Sequence, residues 1–112
     1  MEIYITDKAE NHIKNKSQNN SIQIIVEKVG GGWCISYQPS VKMGKPYNES
    51  SFTMYKVGGI DVYISPNIRA RNNILKIDLN KILWIKSLNV DGVILWLNKE
   101  NTPINIRSIL RL

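Results

Sequence analysis

Apolar positions along the chain follow two different periods, and the change of period divides it into elements. Residues 2–6 alternate, with Ile3 and Ile5 on one side, and predict a short strand. Residues 7–16 shift to helical spacing: Ala9 and Ile13 share a face, with His12 beside them. Thr6 or Asp7 is the predicted N-cap, and Asp7 with Glu10 has the spacing of a capping box. The polar run 17–21 ends the helix. From Ile22 to Val29 the residues are β-branched and bounded by turn formers, which predicts a strand. A second strand is expected over 33–38 and a long polar loop over 39–51. Residues 51–57 and 60–64 predict two strands joined by Gly58-Gly59, a strong hairpin signal.

Residues 74–86 carry both periods. Ile74, Ile77, Ile82 and Ile85 suit a helix, but residues 75–79 alternate, so one or two short strands are expected, with 81–86 unassigned. Residues 89–92 read as a turn and 93–97 as a buried strand. Thr102-Pro103 reads as the N-cap and first position of a short C-terminal helix carrying Ile106, Ile109 and Leu110. The pattern predicts one α+β domain over residues 1–112, mainly β, with about seven strands and the first helix covering antiparallel sheets.

Composition adds limits. No apolar run approaches the roughly 20 residues that span a bilayer, and no basic-then-apolar leader opens the chain, so a cytoplasmic protein with no membrane partner is expected. A single cysteine cannot form an intrachain disulfide, in keeping with a reducing compartment. The net charge of +6 raises the question of an acidic partner such as nucleic acid. The lysines are scattered, however, and the nearest approach to a basic cluster is Arg69-Ala70-Arg71, so a solvated basic surface is the preferred reading and nucleic acid is not the expected partner.

The candidate chemistry sits in Gly30-Gly31-Gly32-Trp33-Cys34. Three glycines free the backbone for positive φ and close approach, and the only cysteine follows. That thiol reads as a ligand, a nucleophile or a core residue. Strand alternation puts Cys34 on the face of Ser36 and Gln38, opposite Trp33, Ile35 and Tyr37. One Cys and one His fall short of a structural zinc set, and no orienting third group marks a Cys–His nucleophile. The glycines precede a strand, unlike a phosphate loop. Asp61, Asp78 and Asp91 are isolated, so no catalytic residue is assigned, and Trp33, Trp84 and Trp96 read as core or rim residues.

Several segments together resemble the HesB/IscA-like family of A-type iron–sulphur carriers. Residues 5–9 (Ile-Thr-Asp-Lys-Ala) resemble its opening strand and capped helix, and Gly31-Gly32-Trp33-Cys34 its glycine loop with the first cluster cysteine. Residues 59–66 resemble its central hairpin strand; Ile77-Asp78 and residues 92–98 resemble its last strands. The resemblance implies a compact β-sandwich or pseudo-barrel with an N-terminal helix and a short C-terminal helix. It also implies iron or Fe–S binding by three cysteines, the last two in a Cys-Gly-Cys. Here residues 104–108 stand near that place without cysteine, and only Cys34 carries over. Some HesB-like relatives hold a Cys or selenocysteine pair at the glycine loop; Trp33 stands at the first member here.

Three functions follow as expectations. The first is a non-enzymatic HesB-like accessory or binding protein that does not hold a cluster by itself, centred on Cys34 as ligand or reactive thiol with Gly30, Gly31, Gly32 and Trp33 supporting it. The second is a thiol-dependent redox or iron-handling protein using Cys34, with Cys34 as the metal ligand. The third is a basic nucleic-acid-binding module. No cofactor is expected in one chain alone; iron or an Fe–S cluster requires further ligands from a second chain or a protein partner, so cluster binding would need a homodimer or a protein partner.

Overall fold

The computed structural model describes residues 1–17 and 19–95. The N-terminal strand β1 (Glu2–Ile5) leads directly into helix α1 (Asp7–Lys16). Thr6 is the N-cap: its side-chain oxygen accepts from the Ala9 N–H at 3.3 Å. The Asp7–Glu10 capping box is therefore not formed; Glu10 lies one turn further on and pairs with Lys14 at 3.8 Å. Ala9 and Ile13 are fully buried, as the helical spacing requires.

Nine strands occur among the described residues: β1, β2 (Ser21–Gly31), β3 (Cys34–Met43), β4 (Thr53–Val57), β5 (Ile60–Ile64), β6 (Ile68–Ala70), β7 (Ile74–Ile82), β8 (Ile85–Asp91) and β9 (Val93–Leu95). They form three open sheets, ordered β1-β7-β8, β3-β2-β5-β4 and β6-β9, with no closed barrel. The architecture is mainly β with one described helix, as expected, but the sheets are mixed rather than purely antiparallel. β1 pairs parallel to β7 and β2 parallel to β5.

The core lies where α1 and these sheets meet. Ile22 and Ile24 of β2, Ile60, Val62 and Ile64 of β5, and Leu75 and Ile77 of β7 pack with Ala9, Ile13 and Ile68. β5 is central in its sheet and is buried along most of its length, down to Tyr63, whose hydroxyl donates to the Glu49 carboxylate at 2.8 Å. Fully burying one such Ile side chain contributes roughly 1.5–3 kcal/mol.

Several expectations change. β3 runs through Pro39 to Met43, so the loop begins later than expected; Pro39 stands opposite Val26 in an edge strand, where a residue without an N–H is tolerated. β4 starts at Thr53, after a short 3-10 turn over Glu49–Ser51. β6 had no distinct signal in the sequence. The unassigned stretch 81–86 is the tip of a β7–β8 hairpin, and 89–91 belong to β8, leaving the bend at Gly92. β9, expected to be buried, is half-buried at Val93 and Leu95, with Ile94 exposed. The Gly58-Gly59 hairpin is as expected, with positive φ at both glycines, the type I′ pattern. Residues 96–97, the cap at Thr102-Pro103 and the C-terminal helix lie outside the described residues. No described helix is long and apolar enough to cross a membrane.

Candidate functional site

The glycine–cysteine segment is the tip of the β2–β3 hairpin. Gly31 stands opposite Cys34, and Gly32-Trp33 forms the two-residue turn between them. Gly32 has φ +61°, the glycine-first pattern of a type II′ turn. Gly30 is needed for a second reason. Its φ is +88°, and a Cβ there would lie 2.0 Å from the Cys34 carbonyl oxygen, so only glycine lets the two strands close beside the cysteine. Gly31 has neither constraint: its surroundings are open and its φ is ordinary. Two of the three glycines thus fix where Cys34 sits.

Cys34 itself is exposed, which removes the core-thiol reading left open by the sequence. Register puts Gly31, Val29 and Glu27 of β2 on its face, with Ser36 and Gln38 of β3. Trp33 is fully exposed and Ile35 about half exposed, so neither is a core residue; Trp84, at the other hairpin tip, is 81% exposed. Trp96 lies outside the described residues. Among the described residues no three His, Cys, Asp or Glu side chains converge as a metal-binding group. An Fe–S cluster usually takes four thiolate ligands, and one cysteine per chain does not fit that set.

His12 and Cys34 are not brought together. His12 lines a cleft between α1 and the β7–β8 hairpin, and Cys34 does not line it. The His12 imidazole is held below its usual pKa by partial burial first, then by the charges of Lys16 and Lys86. Scattered lysines in the sequence meet in this cleft: Lys8 and Lys16 come from α1, Lys81 and Lys86 from the hairpin. The sequence signal that could have shown this is the Lys-x3-His-x3-Lys spacing of residues 8, 12 and 16, which aligns all three on one helix face.

Asp78 anchors the root of that hairpin. Its carboxylate accepts from the Thr6 hydroxyl and the Leu79 N–H, both at 2.8 Å, and these bonds, the Leu79 one first, hold it below the usual carboxylate range. The helix cap and β7 are thereby tied at one residue.

The arrangement of strands and helix is similar to that in the crystal structure of IscA with the [2Fe-2S] cluster, with a TM-score of 0.55 over 80% of this chain and 84% of that one, at 12% identity. It is also similar to Escherichia coli SufA, involved in biosynthesis of iron-sulfur clusters, with a TM-score of 0.50 over 81% and 80% of the two chains, again at 12% identity. These likenesses define a HesB/IscA-like fold. No curated protein sequence matches. The chain belongs to the CC/Se motif containing family, whose family model matches residues 1–93.

Proposed function

We propose that this protein is a non-enzymatic accessory in iron–sulphur handling that presents one thiol and does not enclose a cluster within a single chain. The observation that carries the reading is the exposed Cys34, set by Gly30 and Gly32 at the tip of a hairpin in a HesB/IscA-like fold. The family's name refers to a cysteine or selenium motif; this chain's counterpart is Trp33-Cys34, with tryptophan in place of a first ligand. An exposed cysteine on a projecting tip is open to a partner's side chains. Two chains would supply two thiolates, and a partner protein the remainder.

Anaerobic reconstitution with iron and sulphide tests this. The expected result is no stable cluster on the monomer, with any iron–sulphur absorbance lost in Cys34→Ser and confined to dimers or to mixtures with a thiol-bearing partner. One cluster per monomeric chain, whether lost or kept in Cys34→Ser, overturns the reading.

The same exposure favours a second reading, in which Cys34 works as a reactive thiol. Reactivity follows the thiolate fraction. Alkylation of Cys34 measured against pH, with glutathione as reference, decides it: a faster reaction at neutral pH supports redox use, and an equal or slower one leaves the ligand role.

A further inference from the structure

The cleft between α1 and the β7–β8 hairpin collects positive charge without an acidic residue to balance it. Lys8, His12 and Lys16 stand on successive turns of one helix face. Asn11 and Asn15 add amide groups from the same helix. The opposite wall carries Lys81 and Lys86, which are direct cross-strand partners. Like charges directly opposite each other on a sheet are destabilising. Their face is fixed by alternation: Leu79 and Leu88, two residues nearer the hairpin root, pack against the core, so Lys81 and Lys86 point to the same side as α1.

None of the four lysines makes an ion pair among the described residues; the ion pairs there use Lys14, Lys42 and Lys56. Asp78 senses the charge of Lys8 but does not line the cleft. The cavity measures about 540 Å³, within the range of small-ligand sites. Four exposed lysines that line one cleft repel one another, with no acidic lining residue to offset them. A multiply charged anion converts that repulsion into binding energy, through charge-assisted hydrogen bonds from ammonium and amide groups.

We propose that this cleft is a binding site for a small, soluble, multiply charged phosphate ligand, of the diphosphate or triphosphate class. Four lysines match the roughly three or four negative charges of such a ligand better than the one or two of a single phosphate. A nucleic-acid backbone is less well matched, because these charges converge on one cavity rather than follow a track. The site is separate from the Cys34 tip and does not depend on what that thiol does.

The proposal carries a pH signature. His12 faces Lys8 and Lys16 on its own helix and Lys81 and Lys86 across the cleft. Partial burial first, then the charges of Lys16 and Lys86, hold its pKa below the usual value. A bound anion favours the imidazolium, so binding takes up a proton and tightens as pH falls through the histidine range.

The test is calorimetric titration of the full chain with inorganic pyrophosphate at low salt, with His12 followed by NMR. Saturable binding of one pyrophosphate per chain, with the His12 titration moving upward, is expected. Lys81→Gln and Lys86→Gln should each weaken it about tenfold, while Lys45→Gln, on an exposed loop outside the cleft, should leave it unchanged. Both cleft lysines are exposed, so their removal leaves the fold intact, which circular dichroism checks. His12→Gln should retain weaker binding and lose the proton uptake of the imidazole between pH 5.5 and 7.5, an interval about one unit either side of the usual histidine value, while the titration of pyrophosphate itself persists in both proteins. The proposal is overturned by an absence of pyrophosphate binding, or by binding indifferent to Lys81 and Lys86. Two further arms overturn it by reassigning the anion: association only with phosphatidylglycerol vesicles points to a lipid headgroup, and association only with DNA points to a nucleic-acid surface.

Discussion

The β2–β3 hairpin turns through Gly32-Trp33 and the β7–β8 hairpin through Leu83-Trp84. Both loops have two residues, both place an exposed tryptophan second, and both put their first residue at positive φ: +61° for Gly32 and +57° for Leu83. Glycine accepts that conformation freely, whereas leucine is strained by it. The flanks differ too. Gly31 and Cys34 close one tip; Ile82 and Ile85 close the other, so four consecutive residues there are large, apolar and more than 60% exposed. One tip is shaped around the placement of a thiol. The other keeps apolar side chains at a position where glycine would relax the backbone.

The strongest way to break that contrast is to remove the glycine geometry at the thiol. In Gly30→Ala the new methyl meets the Cys34 carbonyl, and the positive φ is penalised as well. We expect a local loss of about 2–3 kcal/mol. Because the tip is exposed and the core lies elsewhere, hydrogen exchange should accelerate at residues 28–36 while β5 amides keep their protection. Gly31→Ala, with open space and ordinary φ, is the matched control and should cost a few tenths of a kcal/mol. Equal effects of the two substitutions would mean that the glycines act as generic flexible residues and not as a positioning device.

A smaller effect of opposite sign is expected at the other tip. Leu83→Gly relieves the strained φ and gives up little burial, since Leu83 is 73% exposed. The gain is about 0.5–1 kcal/mol after the added freedom of glycine in the unfolded chain is counted. Urea unfolding measures it, and a loss of stability would show that the leucine side chain makes a contact worth more than the strain.

The contrast also separates what could be read from sequence. The Gly58-Gly59 hairpin and the Ala9–Ile13 face were readable because their signals are local: turn chemistry and side-chain period act over a few residues. The β7–β8 tip was not, because Ile82-Leu83-Trp84-Ile85 holds no glycine, asparagine or proline to announce a turn. The parallel pairings β1–β7 and β2–β5 join residues tens of positions apart and leave no mark on either segment alone. Pro39 suggested a loop because its neighbours could not show that its strand lies at an edge. At the site, the position of Cys34 on a strand just after the glycines was readable, but its exposure was not, since free cysteine is commonly buried. The cationic cleft needed the fold, which brings Lys81 and Lys86 across from α1.

The least effect is expected at the root of the β7–β8 hairpin, where the comparison can be sharpened by pH. The Asp78 carboxylate is held below its ordinary value by the Leu79 N–H first and the Thr6 hydroxyl second. A carboxylate with a depressed folded pKa stabilises the fold above its unfolded value, near 3.8, and that contribution is lost as pH falls through the lower folded value. The stability gap between the wild type and Asp78→Asn should therefore be widest near neutrality and close as pH falls through the lowered folded value. Thr6→Ser, which keeps both the hydroxyl donor and the helix cap, should leave the gap unchanged, and Thr6→Val should narrow it. Urea midpoints from pH 2 to 7, a span covering the ordinary aspartate range, measure the effect. A gap that stays constant with pH would place the role of Asp78 in shape alone, and would leave the β7–β8 hairpin anchored by its core residues Leu75 and Ile77 rather than by charge.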